Sequence, residues 1–86
     1  MRGKNDNKLG LYFFENVRAV CKKNDWAISS IETCAGVKTG YFKNMERKNS
    51  CPTIRVAKAF SDVVGYSIDE LIMDPETFRK IEFGEE

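Results

Sequence analysis

Between Ile28 and Arg47 the chain reads ISSIETCAGVKTGYFKNMER, and the outward positions of this stretch hold the residue types that contact DNA. Phe42 and Met45 are i, i+3 neighbours that would face a core, which turns Thr39, Gly40, Lys43, Asn44 and Arg47 to the other side of a helix. Asparagine pairs with adenine through its amide, lysine and arginine take guanine or phosphate, and small residues let a helix end approach closely. Asn44 is the candidate base reader, Lys43 reads guanine or binds phosphate, and Thr39 and Gly40 meet base edges or a thymine methyl. Lys38, Arg47 and Lys48 are candidate phosphate clamps. Tyr41 has two readings, phosphate contact through its hydroxyl or partial burial against the preceding helix.

Two short helices must position these groups. Ile31 and Ala35 share one face of the first, Gly36 can take the positive φ that ends it, and Val37 plugs the turn before the second, about Lys38 to Lys48. Every other periodic segment also reads as helix, so the fold class is all-α. A helix from about Leu9 to Lys23 would bury Phe13, Val17, Val20 and Cys21, with Trp26 as a core anchor after it. Another, about Thr53 to Val64, would turn Ile54, Ala57, Phe60, Ser61 and Val64 inward and close at Gly65. Ser67 and Glu70 form a capping-box pattern for a short helix from Ile68 to about Met73, and Asp74-Pro75 starts a last turn or helix to about Ile81.

Several of these elements coincide in order with one family. Gly36-Val37, the run Phe42 to Arg47 with its glutamate near the end, Pro52-Thr53-Ile54, and Gly65-Tyr66-Ser67-Ile68-Asp69-Glu70-Leu71 together resemble the Xre/Cro repressor-like helix-turn-helix family. The resemblance covers about Phe13 to Leu71. It implies a compact five-helix lambda repressor-like domain whose second helix of the pair reads double-stranded DNA. It also implies a transcriptional regulator, a repressor that binds a palindromic operator as a homodimer.

The chain departs from that pattern at four places. Ala27 and Ile28 stand where the family has a threonine or serine and then a glutamine that touches phosphate or base, and Ser29 and Ser30 are the available replacements. Glu32 occupies a close helix crossing where alanine is usual, so its stem is expected to bend outward or find a cation such as Lys43, opening the crossing slightly. Cys21 replaces an arginine that pairs with the recognition-helix glutamate, which leaves Arg18, Lys22 or water for Glu46. Lys48 replaces a helix-ending glycine, with Asn49 as the next left-handed candidate.

Composition narrows the alternatives. The chain has 86 residues, 14 Lys and Arg against 13 Asp and Glu, and no histidine. Its charge is segregated: six cations and one acid lie between Gly36 and Lys58, eight acids and two cations between Ser61 and Glu86. That pattern fits a DNA-facing surface opposite a DNA-averse one, and equally fits solvated helix faces. With no histidine, phosphate loop or nucleophile motif, an enzyme is disfavoured, and no cofactor or metal is expected. Cys21, Cys34 and Cys51 form no C-x-x-C pair and read as thiols, Cys21 and Cys34 as plain helix or core residues and Cys51 as an exposed loop residue.

No apolar run approaches the ~18 residues needed to span a bilayer, nor is there a signal-peptide core, so a cytoplasmic location is expected. The expected organisation is a flexible arm at 1–8, a DNA-binding domain at 9–73 and an extension at 74–86. Val63, Tyr66, Ile72, Met73, Phe78, Ile81 and Phe83 exceed what a small core needs on that side. They cover the domain's own core or, in the preferred reading, mark a two-fold dimer face, or a surface for a protein partner in an antitoxin-like or other interaction module of the same fold with weak or no DNA binding.

Overall fold

Phe13, Phe14, Val17, Val20 and Cys21 fall on one face of a helix, and burying that face organises the rest of the molecule. The computed structural model describes residues 3–48 and 50–84, and among these it contains six helices and no strand. The helix that carries the phenylalanine face, α1 (Gly3–Asn24), begins six residues before the apolar pattern does. Helical hydrogen bonding propagates through polar residues once a turn exists, so the apolar pattern marks where packing starts, not where the helix starts. The arm foreseen at 1–8 is thus helical from Gly3 onward, and positions 1 and 2 lie outside the described residues.

Asn24 ends α1 by donating from Nδ2 to the Val20 carbonyl (2.9 Å), and Asp25 takes a left-handed φ of 60°. The Trp26 N–H then donates to the Cys21 carbonyl (2.8 Å). Trp26 itself is 42% exposed and is not the expected core anchor. Its backbone closes the helix, while the inward face beyond it is filled by Ile31 and Glu32.

Helix α2 (Ile28–Ala35) ends at Gly36, φ 82°, where the Val37 N–H reaches back to the Glu32 carbonyl (3.0 Å). Helix α3 (Tyr41–Lys48) starts three residues later than the sequence pattern predicts, because Lys38 to Gly40 form a turn closed by the Tyr41 N–H on the Lys38 carbonyl (3.1 Å). Asn49, the expected left-handed residue, lies outside the described residues.

Thr53 caps α4 (Ile54–Val64) by accepting the Val56 N–H at 3.3 Å. Ala57, Phe60, Ser61 and Val64 face inward as expected, but Ile54 is 83% exposed. As the first residue of α4 it stands beyond the edge of the core, beside the Cys51-Pro52 loop. That loop lies close to α1: a Cβ on Gly10 would sit 2.9 Å from the Cys51 Cα.

The capping box at α5 (Ile68–Leu71) is complete, with Ser67 N–H on Glu70 Oε1 (2.8 Å) and Glu70 N–H on Ser67 Oγ (3.1 Å). Asp74 caps α6 (Pro75–Phe83) by accepting the Thr77 N–H at 3.3 Å. Buried Asn16 ties α1 to the α5–α6 link by donating to the carbonyls of Leu71 (2.7 Å) and Met73 (2.8 Å).

Phe13, Phe14, Phe42 and Phe60 meet edge to face at the centre, with Phe14–Phe42 and Phe42–Phe60 centroids each 4.8 Å apart. The apolar residues of the C-terminal side extend this core: Phe78 is fully buried, and Val63, Tyr66, Ile72, Met73 and Phe83 pack against it partly buried. Ile81, at 62% exposed, is the residue of that set left on the surface. The segment foreseen as an extension is therefore mostly wall of the domain's own core. Among the described residues, no helix is long and apolar enough to cross a membrane.

Candidate nucleic-acid interface

Phe42 decides how α3 sits. It is fully buried, and its ring meets Phe14 and Phe60, so the opposite side of this eight-residue helix must face out. Lys43, Asn44, Arg47 and Lys48 are all exposed. Seven of the nine predicted contact residues, Lys38, Thr39, Gly40, Tyr41, Lys43, Asn44 and Arg47, line one open concavity of about 390 Å³. Ser29 lies in an adjoining depression with Ser30, Thr33 and Cys34, and Thr39 belongs to both. Lys48 stands outside the concavity at the end of α3.

Both acids of the helix pair turn away from this surface. Glu46 accepts two bonds from Arg18 of α1, from Nη2 at 2.7 Å and from Nε at 3.0 Å. That bond to Glu46 raises the Arg18 pKa further, and the same guanidinium lies 5.6 Å from the Phe42 ring centroid. Among the three partners open to Glu46, the structure selects Arg18.

Glu32 departs from expectation altogether. It is 2% exposed, and it neither bends outward nor pairs with Lys43. Its carboxylate accepts the Gly40 N–H at Oε1 (2.9 Å) and the Phe42 N–H at Oε2 (2.8 Å). A helix start leaves several N–H groups without intrahelical partners and carries partial positive charge, so an anion is stabilised there. The missed signal was positional: an acid on the inward face of α2, four residues before the turning glycine, aims at the start of the next helix.

The Tyr41 ring is partly buried, packing on α1 and α4, while the residue also lines the open concavity. Its ring stacks on Phe60 of α4 (6.1 Å, 28°) and meets Phe14 of α1 edge on at 6.2 Å. Burial pushes its hydroxyl pKa up. On the exposed side, Arg47 Nη2 donates to Asn44 Oδ1 at 2.9 Å. That leaves the Asn44 amide N–H₂ and a second oxygen lone pair facing out.

Cys21 is buried and its thiol pKa is raised by that burial, whereas Cys34 and Cys51 are exposed. The core reading therefore applies to Cys21, while Cys34 is a surface helix residue. Among the described residues no three His, Cys, Asp or Glu side chains cluster closely enough to hold a metal ion.

Comparison with protein-family models, curated proteins and solved structures gives no match to this chain. What the surface can do follows from its own chemistry. Four cations, one amide and small residues at the start of a helix, with the carboxylates of α2 and α3 taken up by backbone N–H groups and by Arg18, form an open, donor-rich edge. Such an edge complements a polyanionic groove, and the exposed amide adds the capacity to tell one base edge from another.

Proposed function

We propose that this chain is a sequence-specific double-stranded DNA-binding regulator of the Xre/Cro repressor-like helix-turn-helix type, with α3 as its recognition helix. The observation that carries this reading is the sorting of charge on α2, α3 and the turn between them: Lys38, Lys43, Arg47 and Lys48 face out, while Glu32 is buried and Glu46 is paired to Arg18. Chance solvation of helix faces would leave some acids among the cations.

In this reading Lys38, Arg47 and Lys48 neutralise phosphates, and Ser29 contacts the backbone from the neighbouring depression. Asn44 reads a base edge, with Arg47 holding its amide in one orientation. Lys43 reads guanine or a phosphate, and Thr39-Gly40 comes close enough to touch a base edge. An eight-residue helix covers only a few base pairs. Useful specificity therefore calls for two copies on half-sites about 34 Å apart, and the chain acts as a homodimeric cytoplasmic repressor that blocks polymerase at a palindrome.

Selection of bound sequences from a randomised duplex pool at about 0.15 M salt tests this, since nonspecific phosphate attraction is partly screened there. Enrichment of a palindrome supports the regulator. No enrichment, or affinity that does not change with salt, refutes it.

One observation favours a second reading, a protein-interaction module of antitoxin type. Leu9, Phe13, Cys51, Pro52, Ile54 and Ile68 line a largely apolar depression of about 230 Å³, with Ile54 almost wholly exposed at its edge. Stable co-purification of a second small protein, lost on Ile54→Asp, would support that module.

A further inference from the structure

Glu32 is the buried acid that the contact reading above leaves without a part. Its two carboxylate oxygens take the N–H groups of Gly40 and Phe42, at the start of α3, while its own backbone belongs to α2. It therefore fixes one helix relative to the other as well as capping α3. We propose that Glu32 is a positioning residue for base discrimination, an internal cap that sets where the first turn of α3 stands; this rests on the DNA-reading assignment above.

Three observations carry it. The first is cost. A carboxylate 2% exposed is expensive to bury, and two charge-assisted bonds plus the helix dipole are what offset that here. The second is the backbone it holds. Gly40 has φ 94°, a conformation that few L residues adopt, and it separates Thr39, in the turn, from Tyr41, the first helical residue. A shift of the cap therefore moves Thr39 and Gly40 together.

The third is the opposite end of α3. Arg18 holds Glu46 there, and the same guanidinium feels the charge of Glu32. The helix is gripped at both ends from behind, by α2 and by α1.

This arrangement has a consequence for phosphate. Helix N-termini often bind anions through free N–H groups, but the Phe42 N–H in the first turn of α3 and the Gly40 N–H just before the helix are already used by Glu32. Phosphate attraction then falls to side chains such as Lys38 and Arg47, and the start of α3 is left to fit base edges. Loss of the cap should disturb discrimination between sequences more than bulk attraction to DNA.

The test compares the wild-type chain with Glu32→Gln on two probes, the duplex enriched by the wild type and a random duplex of equal length. Glutamine keeps the shape and one acceptor oxygen, so one of the two N–H bonds is lost. The expected result is a fall of about tenfold in preference for the selected duplex, the size of one poorly fitted base pair. Affinity for the random duplex and its salt slope stay the same, and the Gly40 and Phe42 amides shift in the NMR spectrum. Glu32→Asp, one methylene shorter, serves if the glutamine variant does not fold, with the same expectation.

Unchanged preference in the variant overturns the proposal, as does an equal fall on both duplexes, which would mark Glu32 as a purely structural cap. A wild-type chain that enriches no sequence overturns the DNA reading itself and this role with it, a result distinct from the other two.

Discussion

Helices α3 and α6 are of nearly equal length, eight and nine residues, and each is pinned by one fully buried phenylalanine, Phe42 or Phe78. They differ in how their first turns are held and in what they leave outside. Helix α6 is capped by Asp74, its immediate neighbour in sequence, and carries acids and bases mixed along its length. Helix α3 is capped by Glu32, eight residues upstream and on a different helix, and its exposed residues beyond Tyr41 are cations and an amide. A helix that only covers the core can be finished locally. One that must stand at a fixed place for something outside needs fixing by its neighbours, and both clamps on α3 come from other helices.

The largest effects are expected at the anchors. Phe42→Ala and Phe78→Ala should each cost about 3–5 kcal/mol in urea unfolding, because a fully buried ring leaves a cavity. If Phe78→Ala were nearly neutral, α6 would not be part of the core. The caps come next. Glu32→Ala leaves the buried Phe42 N–H without its acceptor, at about 1–3 kcal/mol, whereas the exposed Asp74 cap is worth about 1 kcal/mol. Equal losses at both would remove the distinction between an internal and a local cap.

Surface charge separates the helices by function rather than stability. Lys43→Ala and Lys80→Ala should both leave unfolding within about 0.5 kcal/mol of the parent. In DNA titrations Lys43→Ala should flatten the salt slope by ~1 and Lys80→Ala should not. A matching slope change at Lys80 would mean that α6 also faces the nucleic acid.

The smallest effect concerns the junction before α6. The Ser67 backbone N–H holds the Glu70 carboxyl below the usual carboxylate range, while partial desolvation and Glu70 itself push Glu82 up. A depressed carboxyl stabilises the fold above its unfolded pKa and loses that contribution as pH falls through the folded value. A raised one does the reverse, contributing below its unfolded pKa and losing that as pH rises. Glu70→Gln should therefore flatten the acid-side fall of the melting temperature below about pH 4.3, and Glu82→Gln should remove a gain in stability that appears on acidification just above that pH. Identical acid limbs in wild type and Glu70→Gln would contradict the capping role.

What could be read from the sequence was local. Ser67 with Glu70, Asp74 before Pro75, and Gly36 all act on N–H or carbonyl groups within a few residues, so their types and spacing specify their roles. Ala57, Phe60 and Val64 followed from helical period alone. What could not be read depended on what arrives from elsewhere. Phe14 adjoins Phe13 yet both are buried, because α1 is covered on two sides, by α3 and by the later helices. Asn16, polar on a buried face, needs the carbonyls of Leu71 and Met73, more than fifty residues away. Glu32 looked like a misfit because the N–H groups that accommodate it belong to the next helix. The outward placement of Lys43, Asn44 and Arg47 was legible from Phe42 and Met45, whereas the inward placement of the acids was legible only in part.

The most direct measurement is a map of backbone amide shifts as a duplex bearing the selected sequence is added to the labelled chain. DNA reading by α3 predicts changes at Ser29 and from Thr39 to Arg47, with the α6 amides from Glu76 to Glu82 unmoved. Shifts centred on α6, or none at saturating DNA, would contradict it.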